Sequence, residues 1–202
     1  MKEIVLASNN KHKIIEIKEV LKNYNILSLN DIGFEEEIIE DGKTFSENAL
    51  IKAKAVSKYL KEINKEADVI AEDSGLCCDA LDGEPGIYSA RYAGNHDDQA
   101  NRDKLRKELQ GKDRTAYFVC CIILYHPDET YKEFIGKTEG TIIDEEKGKL
   151  DFGYDPIFLS KDLNKTFGEA SDDEKNYVSH RGRALQLLLK ELEKKYGKKY
   201  IQ

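Results

Sequence analysis

The stretch IVLASNNKHK at residues 4–13 joins a short apolar run to a polar run of amides and lysines. Residues 4–7 are typical of a buried strand, and the apolar residues between positions 14 and 21 recur with the spacing of one helix face. Asn9 or Asn10 is placed to cap this helix, because a short side-chain oxygen satisfies an unpaired amide at a helix start. The stretch therefore predicts a strand, a turn and a helix in direct succession.

Each later segment carries one of the same two patterns. The capping-box spacing at residues 44–47 predicts the start of a helix, and a short strand is predicted over 68–71, which breaks at the polar run 72–75. A helix over 97–110 and strands over 115–126 and 131–142 follow. A second capping box lies at 171–174, and a last helix starts near Ser179. Strands and helices do not alternate strictly. We therefore predict an α/β fold with a mixed sheet, formed by a single domain over residues 1–202.

Composition argues against several classes of protein and partner. The chain has 202 residues, of which 40% are apolar and 35% charged, and no apolar run approaches the roughly 18 residues of a membrane helix. Its formal net charge of −7 argues against a nucleic acid polymer as the partner, because proteins that bind one carry a basic face. A small phosphorylated ligand remains compatible with this charge, since it needs only a few local cations.

The cysteines form two adjacent pairs, Cys77-Cys78 and Cys120-Cys121, and neither pair has the spacing of zinc ligands. Both pairs lie in apolar, strand-like segments. We predict buried free thiols in a reducing cytoplasm, with metal or redox use as the alternative.

The polar run SNNKHK has the features of an anion site. Backbone amides at a helix start bind anions, and a nearby lysine adds positive charge. Lys13 lies in the first helical turn, where a cation opposes the helix dipole, so we predict that it serves a ligand. A solvent-exposed capped helix without a ligand explains the same pattern.

The run EDSG places two carboxylates, Glu72 and Asp73, at the predicted end of a buried strand. Ligands bind at the carboxyl ends of strands in α/β sheets, and adjacent carboxylates repel unless a cation or a proton compensates their charge. Oxygen ligands alone favour Mg²⁺ or Mn²⁺. The acidic run at residues 35–41 is a source of a further ligand, although each of its members also suits a solvated loop.

Two further motifs indicate a flat, polar ligand. FGYDP begins with Phe152, whose ring can stack on such a ligand, although an ordinary turn that buries two rings has the same sequence. SHRGR places His180 and Arg181 in the first turn of a helix, where cations again oppose the dipole, and with Lys175 they form a group of donors. An anion loop, metal-type carboxylates, an aromatic platform and a donor group are together the parts of a site for a purine nucleotide and its Mg²⁺.

Six blocks of the chain occur in the order and spacing of the inosine triphosphate pyrophosphatase family, namely SNNKHK, EDGKTFSENALIKAKA, AEDSGL, GEPGIYSARYAG, FGYDPIF and SHRGRAL. Over residues 2–192 the chain resembles this family, whose members hydrolyse deaminated purine nucleoside triphosphates. The resemblance implies an elongated two-lobed α/β fold around a central mixed β-sheet, with an active-site cleft between the lobes. It also implies a homodimer and dependence on Mg²⁺, for which Mn²⁺ can substitute.

The resemblance also implies residue roles. Asp73 is the implied catalytic residue, which binds the metal and activates water. The implied metal ligands are Asp73, Glu72 and Glu40; the family has aspartate where this chain has Glu72, and a shift from Glu40 to Glu37 or Asp41 stays open. The implied substrate-binding residues are Ser8, Asn9, Asn10, Lys11, His12 and Lys13 in the phosphate loop, Lys52 and Ser74, then Phe152, Gly153, Tyr154 and Asp155 around the base and ribose, and Lys175, His180 and Arg181 as donors to the base.

The function predicted from this resemblance is hydrolysis of ITP, dITP and XTP to the monophosphate and pyrophosphate, which cleanses the nucleotide pool. The first alternative is a related pyrophosphatase that acts on pyrimidine or modified nucleotides, for which the donors at residues 175–181 are less suited. The second is a nucleotide-binding module without catalysis, which would not require the acid pair. We expect a cytoplasmic homodimer with a small-molecule substrate and neither a nucleic acid polymer nor a membrane as partner.

Overall fold

The computed structural model describes residues 1–197. Its contacts divide the chain into two compact units. Unit 1 contains Met1–Asp73, Cys121–Ile135 and the chain from Ala184 onwards, and unit 2 contains Ser74–Cys120 and Gly136–Arg183. The single domain over residues 1–202 stays a prediction. The last five residues of that range, 198–202, lie outside the part of the chain that the structure describes.

The helices and strands follow one another in a mixed order. They are β1 (Lys2–Leu6), α1 (Lys11–Val20), β2 (Tyr24–Leu27), α2 (Phe45–Glu62), β3 (Asp68–Cys78), α3 (Asp98–Glu108), β4 (Thr115–Tyr125), β5 (Tyr131–Ile142), β6 (Phe158–Ser160), α4 (Asp172–Val178) and α5 (His180–Tyr196). The strands form a six-stranded sheet in the order β2-β1-β3-β4-β5-β6. β1 pairs in parallel with β2 and β3, whereas β5 and β6 are antiparallel, which confirms the predicted α/β fold with a mixed sheet.

The predicted helix caps are present. Asn10 caps α1, and its side chain accepts a hydrogen bond from the amide of Lys13. Thr44 caps α2 in the same way, although Glu47 accepts from the amide of Lys43 rather than closing a full capping box. The capping box of α4 at Ser171 is complete.

The prediction that the strand at residues 68–71 breaks at EDSG is wrong. β3 runs without interruption from Asp68 to Cys78, so Glu72 and Asp73 lie in the middle of an 11-residue strand. Charged side chains normally interrupt a buried strand because an unpaired buried charge is costly. Here Lys13 pairs with Glu72, Lys52 and Asn48 compensate Asp73 in part, and the extended backbone continues.

Helix α2 covers the core of unit 1. Its buried residues recur with helical spacing, and they pack with alternate residues of β1, β3 and β4. The cluster contains Ala49, Ala53, Val56 and Leu60 from α2, Val5 from β1, Val69 and Ala71 from β3, and Cys121, Ile123 and Tyr125 from β4. Because side chains alternate along a strand, Asp73 leaves β3 on the side of Val69 and Ala71, which is the side of α2.

Unit 2 has a separate core that is rich in aromatic rings. The rings of Phe118 and Phe158 have centroids 4.6 Å apart, and Phe167 lies 5.0 Å from Phe158. Leu105 of α3 and Tyr154 of the FGYDP motif belong to the same cluster. This core therefore holds both α3 and the segment that follows Phe152.

The four cysteines are free and buried, as the sequence predicts. Within residues 1–197 none of the helices combines the length and the apolar character that crossing a membrane requires.

A polar group at the start of β3 is expected to contribute to stability. Asp68 is 2% exposed, its Oδ1 lies 2.9 Å from Nδ1 of His126, and it accepts a hydrogen bond from the hydroxyl of Tyr196. Burial alone would raise the pKa of Asp68, but the hydrogen bonds from Tyr196 and His126, with the charge of Lys195, outweigh burial and hold the pKa below its usual value. The ionised carboxylate therefore stabilises the folded chain above the unfolded pKa of about 4, and this contribution is lost as the pH falls through the lower folded pKa.

Replacement of Asp68 by alanine is expected to lower the free energy of unfolding at pH 7 by about 2–3 kcal/mol, because it leaves buried donors without their acceptor. The difference from the unchanged protein should shrink below about pH 3. Urea unfolding at both pH values measures it. Asp79→Ala, which removes an exposed aspartate just after the other end of β3, is the control and should change the free energy of unfolding little. An Asp68→Ala difference that is equal at both pH values would contradict the assignment.

Candidate active site

The loop between β1 and α1 presents the residues predicted to bind phosphates. The hydroxyl of Ser8 accepts a hydrogen bond from the amide of Asn10 at 3.0 Å, and the side chain of Asn10 accepts from the amide of Lys13 at 3.2 Å. Asn9 instead bonds the amide of Asn30, which begins the short helical turn after β2. Lys11 and His12 are exposed in the first turn of α1. The loop is therefore ordered by its own side chains and open to solvent at the helix start.

Lys13 has a partner within unit 1. Its Nζ lies 2.7 Å from Oε1 of Glu72, whose side chain is only 1% exposed. A buried carboxylate is costly unless it is paired, so Lys13 stabilises the ionised Glu72 inside β3. The unfavourable position of a lysine in the first turn of α1 is thus explained by Glu72 as well as by the predicted ligand.

Helix α2 presents two polar side chains toward Asp73. The Nδ2 atom of Asn48 donates to Oδ2 of Asp73 at 3.3 Å, and Asn48 is 2% exposed. One turn later, Nζ of Lys52 lies 2.7 Å from Oε1 of Glu40 and 4.0 Å from Oδ1 of Asp73. Lys52 therefore lies next to two carboxylates, one from the acidic run and one from β3.

The end of the acidic run is fixed against the start of α2. Oδ1 of Asn48 accepts a hydrogen bond from the amide of Gly42 at 2.9 Å. A Cβ atom at Gly42 would lie 2.6 Å from that oxygen and 2.8 Å from Cβ of Glu47, so only glycine permits this approach. Asn48 thus bonds to Asp73 with its nitrogen and to the segment after Glu40 with its oxygen.

The carboxyl group of Asp73 is electrostatically unusual. Burial raises its pKa above the ordinary aspartate value; the charge of Lys52 opposes this rise, and the charge of Glu40 adds to it. The ionised form is therefore costly in the folded chain, which is typical of groups at functional sites. An added cation would relieve this cost.

The arrangement in unit 1 suits a divalent cation with oxygen ligands. Mg²⁺ commonly takes one or two carboxylates, several waters and the phosphates of a substrate. Glu40 and Asp73, which share Lys52, provide such a pair, whereas Glu37 and Asp41 are exposed. No group of three or more potential metal-ligating side chains occurs in residues 1–197. Glu72 precedes Asp73 in an extended strand, so its side chain leaves on the opposite face and contacts Lys13; its role as a metal ligand stays a prediction.

Unit 2 brings together three of the predicted base-site residues. Nζ of Lys175 lies 2.7 Å from Oδ2 of Asp155 and 4.6 Å from the ring centroid of Phe152. Asp155 is 6% exposed, so the lysine compensates a buried carboxylate. Phe152 keeps part of its surface exposed, as a platform for a flat ligand requires.

The two residues between Phe152 and Asp155 have partners in the protein. Tyr154 is 5% exposed, and its hydroxyl donates to the carbonyl of Ser89 at 2.7 Å, so its side chain is part of the core of unit 2. Gly153 has a φ of 50°, a left-handed conformation that favours glycine, and its amide donates to Asp98 at 3.0 Å. Substrate contacts by these two residues stay predictions.

The donors at the start of α5 are buried. Arg181 is 2% exposed, and its guanidinium donates to the hydroxyl of Ser74 at 3.3 Å. The ring of His180 stacks on Phe118 with a centroid distance of 4.7 Å and an interplanar angle of 12°. The structure therefore joins Arg181 to the residue that follows Asp73 in the chain, and it places His180 against the aromatic core of unit 2.

The sequence interpretation missed three residues that hold the site. Asn48 is a buried amide on the apolar face of α2, and a polar residue at a core position is a signal that could have identified it. Asp98 and Arg102 on α3 hold Gly153, but their spacing of one helical turn is common on solvated helices. Only the folded chain shows their common partner.

The fold and these side chains define an α/β protein with carboxylates, lysines and an aromatic platform, a set typical of enzymes that act on nucleotides. The chain belongs to the Ham1 family, whose model matches residues 4–191. It is 49% identical to a dITP/XTP pyrophosphatase of Bacillus subtilis strain 168 over 199 residues, which cover 96% of this chain and 98% of the relative. A dITP/XTP pyrophosphatase of Clostridium perfringens strain 13 is also 49% identical, over 93% of this chain and 96% of the relative. The solved structure of the Staphylococcus aureus Ham1 protein aligns with a TM-score of 0.85 at 44% identity and covers 96% of this chain and 100% of that one.

Proposed function

We propose that this protein hydrolyses deaminated purine nucleoside triphosphates, namely ITP, dITP and XTP, to the monophosphate and pyrophosphate. The observation that carries the proposal is the near-complete match to relatives named dITP/XTP pyrophosphatase. The half-buried Asp73 beside Lys52 and Glu40 supplies the proton acceptor that such a hydrolysis needs. The product of the reaction is a monophosphate that a polymerase does not incorporate, so the activity cleanses the nucleotide pool.

The triphosphate is assigned to residues of unit 1. The amides at the start of α1 and the side chains of Ser8, Asn10 and Lys13 bind its oxygens, because helix starts and lysines favour anions. Lys52 makes a second phosphate contact from α2. Both lysines are paired with carboxylates in the structure, so binding requires that they exchange or share those partners.

Glu40 and Asp73 are the proposed ligands of Mg²⁺, with Mn²⁺ as a substitute, because they are the carboxylates next to Lys52. When bound, this ion neutralises phosphate charge and makes water more acidic. Asp73 accepts a proton from the attacking water, and Asn48 holds the carboxylate of Asp73 in place. The water oxygen forms a bond to the α-phosphorus, the bond from that phosphorus to the bridging oxygen breaks, and pyrophosphate leaves.

The base is assigned to residues of unit 2. Phe152 stacks on the purine, and Lys175 and Arg181 donate hydrogen bonds, with His180 completing the group. A 6-keto oxygen accepts such bonds, whereas the 6-amino group of adenine would place a donor against these donors. This donor set favours deaminated purines over the first alternative, a pyrimidine or modified-nucleotide pyrophosphatase. The half-buried Asp73, whose pKa is raised mainly by burial, argues against the second alternative, a module that only binds nucleotides.

We further propose that the protein acts in the cytoplasm as a homodimer. Free buried thiols suit a reducing compartment. Its substrate is a small molecule, and the formal net charge of −7 does not favour a nucleic acid polymer. Size-exclusion chromatography with light scattering tests the dimer.

The position of cleavage tests the proposed reaction. With dITP and Mg²⁺, the purified protein should form monophosphate and pyrophosphate in equal amounts, because attack at the α-phosphorus releases both phosphates together. Anion-exchange chromatography identifies the products. Mass spectrometry of each product after reaction in ¹⁸O-labelled water identifies the atom that is attacked, and the label should appear only in the monophosphate. Diphosphate and orthophosphate as products would show attack at the γ-phosphorus and would exclude this assignment.

A further inference from the structure

We propose that helix α3 fixes the base-recognition loop, residues 152–155, through Asp98 and Arg102, and that these two side chains are positioning residues for the nucleobase. The proposal rests on the assignment of Phe152 as the platform for the base. All of the residues concerned belong to unit 2.

Both polar groups of Gly153 are bonded to α3. The amide of Gly153 donates to Oδ2 of Asp98 at 3.0 Å, and its carbonyl accepts from Nη1 of Arg102 at 2.7 Å. Asp98 and Arg102 are one helical turn apart, so they project from the same side of α3 and hold Gly153 from both ends. The backbone next to Phe152 therefore has its position and orientation set by α3.

Arg102 is itself held firmly. It is 2% exposed, its Nε lies 3.1 Å from Oε1 of Glu146, and its Nη2 donates to Oε1 of Gln99 at 3.0 Å. A guanidinium offers donors in a rigid plane, so three fixed acceptors leave it little freedom. The carbonyl of Gly153 is one of these three acceptors, which makes Arg102 a rigid support for the loop.

The loop has a second attachment, at Asp155. There Lys175 of α4 forms its ion pair at 2.7 Å, and the same lysine lies near the ring of Phe152. The side of Gly153 that a Cβ atom would occupy faces open space, so the two hydrogen bonds from α3, rather than side-chain packing, attach this residue to the rest of unit 2. Without them the turn would remain closed by the hydrogen bond from the amide of Asp155 to the carbonyl of Phe152, but it would lose its attachment to α3, and the position of Phe152 would be less well defined.

This arrangement predicts a specific kinetic effect. Phe152 acts on the base, whereas the phosphate-binding and proton-accepting residues belong to unit 1. Loss of the α3 contacts should therefore weaken binding of the nucleobase and leave the chemical step nearly unchanged. A residue that only stabilises the fold would not separate these two quantities.

The test variant is Arg102→Met, which keeps an unbranched side chain and removes the donors. Glu146 retains Arg106 at 3.2 Å, so the substitution does not leave this carboxylate without a cation. We expect KM for dITP and Ki for IMP to rise about tenfold, in line with the loss of a hydrogen bond to a charged group. We expect kcat to change less than about threefold and inhibition by tripolyphosphate, which lacks a base, to stay unchanged.

Arg106→Gln is the matched control, because Arg106 lies one turn further along α3 and contacts Glu146 but makes no bond to Gly153. Its KM and Ki should equal those of the unchanged protein. Asp98→Ala should raise KM as Arg102→Met does. Asp98→Asn should raise KM much less, because the side-chain amide oxygen still accepts a hydrogen bond from the backbone amide of Gly153. A folded Arg102→Met protein with unchanged KM and Ki would overturn the proposal.

A reporter of the loop separates this proposal from the proposed function. The chain contains no tryptophan, so Phe152→Trp introduces a single tryptophan, which is excited at wavelengths that its 11 tyrosines do not absorb. Its time-resolved anisotropy should reveal faster local motion when Arg102→Met is added and no change when Arg106→Gln is added. An unchanged protein that hydrolyses none of the nucleotides would refute the proposed function, whereas equal local motion in all three proteins would refute the role of α3.

Discussion

Replacement of Asp73 by asparagine is expected to lower kcat for dITP at least about 10²-fold, because an amide cannot accept the proton of the attacking water and is a poor metal ligand. The melting temperature should stay near that of the unchanged protein. Asparagine has nearly the same shape, and its oxygen still accepts the hydrogen bond from Asn48. Burial raises the pKa of Asp73, so removal of the charge relieves a cost of folding rather than adding one.

Steady-state kinetics and a melting curve from the same preparation measure both parts of this prediction. Asp79→Asn, the same chemical change at an exposed site just after β3, is the control and should leave both unchanged. Substrate should still bind to the Asp73→Asn protein through Lys13 and Phe152. If that variant is folded and retains nearly full kcat, Asp73 has no part in the chemistry and Glu72 becomes the residue to test.

Discrimination between bases is expected to be equally large. The values of kcat/KM for ITP, dITP and XTP should exceed that for ATP by roughly 10⁴-fold, which sites built from hydrogen-bond donors can reach. The physical reason is that Lys175 and Arg181 are buried or half-buried donors, so a keto oxygen accepts from them, whereas a 6-amino group places a donor against donors. Equal kcat/KM values for ITP and ATP would refute the role of these donors.

The variant Arg181→Met tests whether Arg181 is a source of this discrimination between bases. Arg181 is 2% exposed and donates to Ser74, so its removal takes away one fixed donor. The variant should lose activity on ITP much more than on ATP, which narrows the ratio of their kcat/KM values. Arg183→Met is the control, because Arg183 is partly exposed and bonds Lys137 and Asp162 instead. A similar loss on both substrates would assign Arg181 to general stability.

Local patterns predicted most of the secondary structure because they depend on neighbouring residues. The spacing of apolar residues and the caps at Asn10, Thr44 and Ser171 depend on residues within one or two helical turns. The strands over residues 115–126 and 131–142 also follow from their apolar and alternating sequence, and β4 and β5 lie there.

The continuation of β3 through EDSG depends instead on contacts that are distant in sequence. A carboxylate in a buried strand is unfavourable until a cation is brought to it, and Lys13 is brought to Glu72 only when α1 packs in place. The same holds for Gly153, whose partners on α3 belong to another segment of the chain. The sequence therefore predicted which kinds of side chain form the candidate site. It did not predict which residues hold those side chains in position.

The burial of all four thiols in β3 and β4 has a consequence for the conditions under which the protein works. Nitrosating agents remove amino groups from purines, and they also modify accessible thiolates. Burial raises the pKa of Cys78 and Cys121 to about 12, so these side chains stay protonated as well as shielded. An enzyme of the proposed function is needed most when nitrosating agents are present. The cysteines of β3 and β4 expose little thiolate with which these agents can react.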